Sequence, residues 1–282
     1  MFPKIPNWDE FVIRVALICQ LIIEAVNDTK PNRYLISVDE KTGIQALSRI
    51  EKIAPASVGG HIRKEFEYTR NGTTTLIAGL NVGKGNICNY LLNETRKEED
   101  FFNFIKATAS PLLAEREDIE VVFLADQLNT HLSESLVIWI AFICGVTESL
   151  GKKGFYGILK NQQTRRQFLE NPKHKVRFVF TPKHCSWLNP IENWFAKLQK
   201  HVITNGNFSS VEVLKTKIKN YIFFYNTFLL KPIKWKFKGF HKAKIMTNLT
   251  ISQLAEFILF AFLIVFLHIL PTSSVRINYL IV

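Results

Sequence analysis

The chain has 282 residues, 47% of them apolar, which is enough to enclose a large core and too apolar for a disordered polymer. Its net charge of +12 is unevenly placed: residues 151–244 hold twenty Lys and Arg against three Asp and Glu, while residues 1–150 hold fifteen against twenty. That segregation points to a polyanionic partner, nucleic acid first, whereas four scattered cysteines with no C-x-x-C pair argue against a zinc site or disulfide framework and fit a reducing cytosol.

The N-terminal region predicts an amphipathic helix over 8–26 opened by Asn7; Arg14, Gln20 and Glu24 interrupt its apolar run, and with no small-residue cleavage site it does not read as a cleavable signal. Pro31 and Asn32 break the pattern, and YLISVDE, residues 34–40, follows as a short buried strand ending in acid. Two strands are expected around Asn71-Gly72, a dipeptide that tolerates positive φ and suits a type I′ hairpin. A helix over 96–109 comes next, then an apolar strand over 119–126 that also ends in an aspartate, a polar loop at 127–131 and an apolar helix over 133–144. Residues 151–173, rich in Gly, Lys and Gln, read as an insertion or a loop with a helix; VRFVF at 176–180 is a fifth strand, and helices close the pattern to residue 202 and over 210–228. This order is a mixed α/β layout. If the two aspartate-terminated strands are parallel neighbours, Asp39 and Asp126 emerge at one carboxyl edge, where open α/β sheets bind their ligands.

The stretch TPKHCSWLNPIENWF, residues 181–195, holds a lone acid, Glu192, in basic surroundings. Local sequence reads it as a helix start, with Asn189 as N-cap, Pro190 at the first position and Glu192 at the third; the same signature recurs at Asn7/Glu10, Thr95/Glu98 and Ser209/Glu212. Trp187, Ile191, Trp194, Phe195 and Leu198 follow helical spacing and predict a buried stripe that anchors the helix beside Glu192.

Read together, SVDEKTGIQAL (37–47), FLADQLNTHLS (123–133) and TPKHCSWLNPIENWF resemble, in order, the three catalytic blocks of DDE transposases of the mariner superfamily, in its bacterial insertion sequence 630 branch. The likeness runs from about Tyr34 to about Gly239 and takes in EFEYTRNGT, LGKKG and KPIKWKFKG. It implies a ribonuclease-H-like mixed sheet flanked by helices, with Asp39, Asp126 and Glu192 as a catalytic triad that also binds two divalent cations, Mg²⁺ or Mn²⁺. Hard cations take such oxygens, and two of them serve both oxygens of an in-line displacement, whereas carboxylates converging without metal repel one another. The implied activity is strand cleavage at transposon ends and strand transfer to target DNA; the alternative is an inactive or truncated remnant that binds DNA without catalysis. The implied partners are end and target DNA, an upstream DNA-binding polypeptide or domain, and a second copy in a homodimer on DNA, in the bacterial cytoplasm. Only about 33 residues precede the first strand, too few for the helix-turn-helix that would read terminal repeats. Candidates for DNA contact are Lys183, His184, His131, Lys197 and Lys200, and Glu40 is expected on the face opposite Asp39.

The expected domains are a helical lead-in over 1–33, a catalytic domain over 34–240 with an insertion at about 140–173, and an apolar tail over 241–282. Within that tail, ISQLAEFILFAFLIVFLHIL (251–270) approaches the length of a membrane span but carries Gln253, Glu256 and His268. A packed or intermolecular helix, an out-of-frame extension and an anchor are the alternatives; the resemblance ends before it and gives an anchor no support.

Overall fold

The computed structural model describes residues 7–49, 67–204 and 206–240. Among them, five strands form one sheet: β1 (Arg33–Arg49), β2 (Tyr68–Asn81), β3 (Ile87–Asn93), β4 (Glu120–Ala125) and β5 (Val176–Phe180), in spatial order β3-β2-β1-β4-β5. β1, β2 and β3 pair antiparallel, and β4 and β5 add parallel on the other side of β1, a ribonuclease-H-like sheet. The helices are α1 (Trp8–Val26), α2 (Glu98–Leu113), α3 (Glu134–Ile143), α4 (Gln162–Leu169), α5 (Ile191–Leu198) and α6 (Val211–Phe224).

Both faces are covered, which is why the parallel strands β4 and β5 are apolar apart from Glu120 and Arg177 rather than alternating. One face, carrying Ile36, Val38, Ile77, Phe123 and Phe178, packs against α2, α3 and α4. Leu76, Ala78 and Leu80 on the other face pack against α5 and α6. Residues alternate along β1, so Ile36 and Val38 serve the first face while Ser37 and Asp39 turn to the second. The region expected as an insertion is part of the core: Leu159, Phe168 and Leu169 are buried in the first cluster.

Several local expectations lose to tertiary contacts. β1 does not stop at its acids but continues to Arg49, 17 residues in all, and Gly43, at φ 64°, carries it through a register shift between Lys41 and Ile44. Asn71-Gly72 is not a hairpin turn but lies inside β2, facing a second shift between Gln45 and Leu47. The Asn71 amide donates to Ser48 Oγ (2.6 Å) and to the Phe208 carbonyl (2.8 Å), and Gly72, at φ 108°, leaves the space that Val211 occupies. The reversal falls later, between Asn81 and Ile87. Asn7 caps α1 as expected, accepting from the Glu10 amide at 3.1 Å. α2 instead starts after Lys97, whose amide donates to Asp100 (2.9 Å), and α6 is capped by Ser210 rather than Ser209.

The chain divides into two units between Lys238 and Gly239. The predicted tail over 241–282, with its apolar run, lies outside the described residues. Among the described residues no helix is long and apolar enough to cross a membrane.

Candidate active site

The last parallel pair of β1 and β4 is Ser37 with Leu124. Asp39 and Asp126 each follow two residues later, so the register sets them level at the carboxyl edge of neighbouring strands. The end of β5 is tied to the same edge: the Thr181 amide donates to the Ala125 carbonyl (2.9 Å), and Gln127 Nε2 donates to the Thr181 carbonyl (2.7 Å). Asp39, Asp126 and Glu192, drawn from three distant segments, line one cavity of about 500 Å³ together with Glu40, Arg96 and Lys183.

The start of α5 is not a capping box. Pro190 occupies the cap position with no side-chain hydrogen bond, and the buried Asn189 turns toward the sheet. Its Nδ2 donates to the Val38 carbonyl (3.1 Å) and to Asp39 Oδ2 (3.3 Å), while its Oδ1 accepts from the Ser37 hydroxyl. Ser37 Oγ in turn accepts the Ile191 amide (2.9 Å), so a strand hydroxyl satisfies a helix N–H that would otherwise be orphaned. This clasp fixes the first turn of α5, and therefore Glu192, against the strand that carries Asp39. Ile191, Trp194, Phe195 and Leu198 form the buried stripe, but Trp187 does not join it: it is 48% exposed on a 3₁₀ turn and meets Phe237 edge-on. The stripe was legible from spacing; Trp187 left it because the helix begins only at Ile191.

His131 is a second correction. Expected as a DNA contact, it is wholly buried, stacked on Phe101 at 4.0 Å, and beyond the reach of a phosphate. Its Nδ1 lies 3.0 Å from Asp126 Oδ1 and 3.1 Å from the Asp126 carbonyl, and its Nε2 lies 3.6 Å from Glu40 Oε1, an ion-pair separation too long for a hydrogen bond. Burial opposes charge on the ring, but Asp126 and Glu40 outweigh it and raise the imidazole to about 9. The cation thus spans the loop after β4 and the far face of β1, where Glu40 also meets Arg96 at 3.4 Å. Of the other candidate contacts, Lys183 and the exposed His184 line the cavity; Lys197 and Lys200 are exposed but do not.

The segment between Asp126 and Glu192 supplies a brace. Arg166 of α4 donates to Gln127 Oε1 (3.0 Å), next to Asp126, and Glu170, held by Arg14 and Arg166, accepts the Phe180 amide (3.3 Å). Sequence reading missed Ser37, Gln127 and Arg166. For Ser37 a signal existed, since it stands two residues before Asp39 and so shares its face.

Burial first, then the nearby charges of Asp126 and Glu192, push the Asp39 carboxyl up to about 7, against the opposing pull of the Glu40 amide and His131. Neither Asp39 nor Glu192 is in an ion pair among the described residues. As the groups are placed, no three described His, Cys, Asp or Glu side chains could hold one ion. Three anions sharing a cavity keep apart, and a hard divalent cation needs only one or two carboxylates besides water and phosphate oxygens. The donor set is all oxygen, with Asp126 alone paired to a cation among the described residues, and its chemistry fits Mg²⁺ or Mn²⁺.

A family model described as DDE superfamily endonuclease matches residues 34–215, and one described as integrase core domain matches residues 192–241. No curated protein matches the chain. Solved structures similar to it include the Mos1 mariner paired end complex with Mn, at 15% identity over 79% of this chain and 59% of that one, with a TM-score of 0.48. Another is the catalytic domain of the Mos1 mariner transposase, at 13% identity over 79% of this chain and 85% of that one, with a TM-score of 0.44. The chain thus spans 59% of the length of the Mos1 chain in the paired end complex.

Proposed function

This chain belongs to the DDE superfamily endonuclease family, and from that premise we propose that it is a transposase that cleaves DNA strands at transposon ends and joins them to target DNA. In this reading Asp39, Asp126 and Glu192 hold two divalent cations, Mg²⁺ or Mn²⁺. When bound, these supply charge balance and Lewis acidity to the attacking and leaving oxygens of an in-line displacement. The remaining work falls to the chain. Asn189 aims the Asp39 carboxylate, His131 holds Asp126, and the Ser37 hydroxyl sets the turn that presents Glu192. Lys183 and His184, on the rim, offer cationic and hydrogen-bonding groups to the DNA backbone.

The observation that supports this most is the level placement of Asp39 and Asp126 in a cavity shared with Glu192, with neither Asp39 nor Glu192 in an ion pair among the described residues. The protein acts on DNA in the bacterial cytoplasm, as a homodimer, with end recognition supplied by an upstream domain or polypeptide. Its units are the helical lead-in, the catalytic domain and the apolar tail.

The test is strand cleavage with Mg²⁺ or Mn²⁺ on DNA bearing the element's ends, comparing wild type with Asp39→Ala, Asp126→Ala and Glu192→Ala. Each variant is expected to lose about a thousandfold or more, the equivalent of about 4 kcal/mol of transition-state stabilisation. Equal rates in all four proteins would refute the assignment.

A further inference from the structure

After α6 and the π-helical turn Tyr225–Leu229 the chain runs without regular secondary structure through KPIKWKFK, residues 231–238. Burial alternates along it: Ile233, Trp235 and Phe237 are half-buried while Lys234, Lys236 and Lys238 are exposed, the period of an extended chain with one face on the protein. The inner face is anchored throughout. The Lys231 carbonyl approaches the turn between β2 and β3 so closely that a Cβ on Gly85 would stand 2.5 Å from it. Ile233 packs on the cluster formed by α5 and α6, Trp235 lies against the Cys19 thiol of α1, and Phe237 meets Trp187 at 5.5 Å.

The outer face is therefore a row of lysines whose backbone is anchored, about 6.6 Å apart along the chain at two residues per repeat. Lys153 and Lys215 find carboxylates elsewhere on the surface, whereas none of these three is in an ion pair among the described residues. The row leads to the cavity: Lys236 and Lys238 flank Phe237, which touches Trp187, and Ser186 next to Trp187 lines the cavity wall. A strap that holds like-charged side chains on one face and leaves them without ion pairs among the described residues is suited to a partner with regularly spaced negative charge.

We propose that Lys234, Lys236 and Lys238 form a rail for the phosphate backbone of duplex DNA entering the carboxylate cavity. The inference rests on the transposase reading and adds where the DNA lies. Each lysine neutralises one phosphate without reading sequence, so its signature is in the salt dependence of binding.

The experiment measures affinity of the full chain for random-sequence duplex DNA across a potassium chloride series, without divalent metal. The triple variant Lys234→Gln/Lys236→Gln/Lys238→Gln is compared with wild type and with Lys30→Gln/Lys173→Gln/Lys175→Gln, which removes equal charge at the opposite edge of the sheet. Loss of three phosphate contacts should reduce the slope of log affinity against log salt by about 2.7 in the first variant, at about 0.9 per contact, and leave the second near wild type. An unchanged slope in the strap variant, or an equal reduction in both, overturns the rail while leaving the transposase reading intact. Wild-type protein without measurable DNA affinity would overturn both.

Discussion

The two edges of the parallel strands use the same residue types to opposite ends. At the amino edge, Arg33 Nε meets Glu120 at 2.6 Å and its Nη1 meets Glu24 at 2.8 Å, while Arg177 reaches the other Glu120 oxygen at 2.7 Å. These carboxylates are answered by guanidiniums, so the edge closes as a ladder joining α1, β1, β4 and β5. At the carboxyl edge His131 is committed to Asp126 and Glu40 and Arg96 to Glu40, Lys183 lines the cavity without an ion pair among the described residues, and Asp39 and Glu192 face each other's charge across it. A fold tolerates such unmatched charge at a cost, and the cost marks the edge that works on something outside the chain.

The sharpest way to break this contrast is at the matched edge. Arg33→Met leaves the half-buried Glu24 without its cation and Glu120 with Arg177 alone, and should destabilise the fold by about 3 kcal/mol in urea unfolding, with cleavage per folded molecule unchanged. A loss below about 0.5 kcal/mol would reduce the ladder to ordinary surface pairing.

A smaller effect is expected at the clasp. Ser37→Ala strips partners from the buried Asn189 amide and the Ile191 N–H and should cost about 2 kcal/mol. It should also lower cleavage more than that stability loss alone, because Glu192 is no longer held in place; cleavage that tracks only the folded fraction would make the clasp purely structural.

The last effect has the opposite sign. Asp39 has a folded-state pKa of about 7 against 3.8 for the free group, so its protonated form is favoured on folding. Its contribution is fully present below pH 4 and is lost as pH rises through 7. Asp39→Asn, which carries no charge to bury, should be more stable than metal-free wild type at pH 8, with the gap closing toward pH 4. Adding Mg²⁺ at pH 8 should raise the melting midpoint of wild type and not of the variant; equal stability at both pH values would remove Asp39 from the unmatched set.

The part of this protein that its sequence determines is the part carried by period and composition. Alternation, apolar runs and helical spacing set the strands β4 and β5, the helices α1, α3 and α6, and the stripe of α5, and the order of elements put Asp126 just past a strand and Glu192 on the following helix, while Asp39, read as a strand end, lies inside β1. Short polar side chains are different, because each can serve a local turn or a distant partner, and the competition is decided by what folding brings within about 3 Å. Asn71 reads as a hairpin residue and instead secures Ser48 and Phe208; Asn189 reads as a cap and instead joins α5 to β1. His131 carries no local sign that its surroundings are Phe101, Glu40 and Asp126 rather than solvent. The identity of the acids was thus written along the chain, while their alignment, their unequal neutralisation and the clasp that holds them came from contacts between residues as many as 154 apart, which no local pattern encodes.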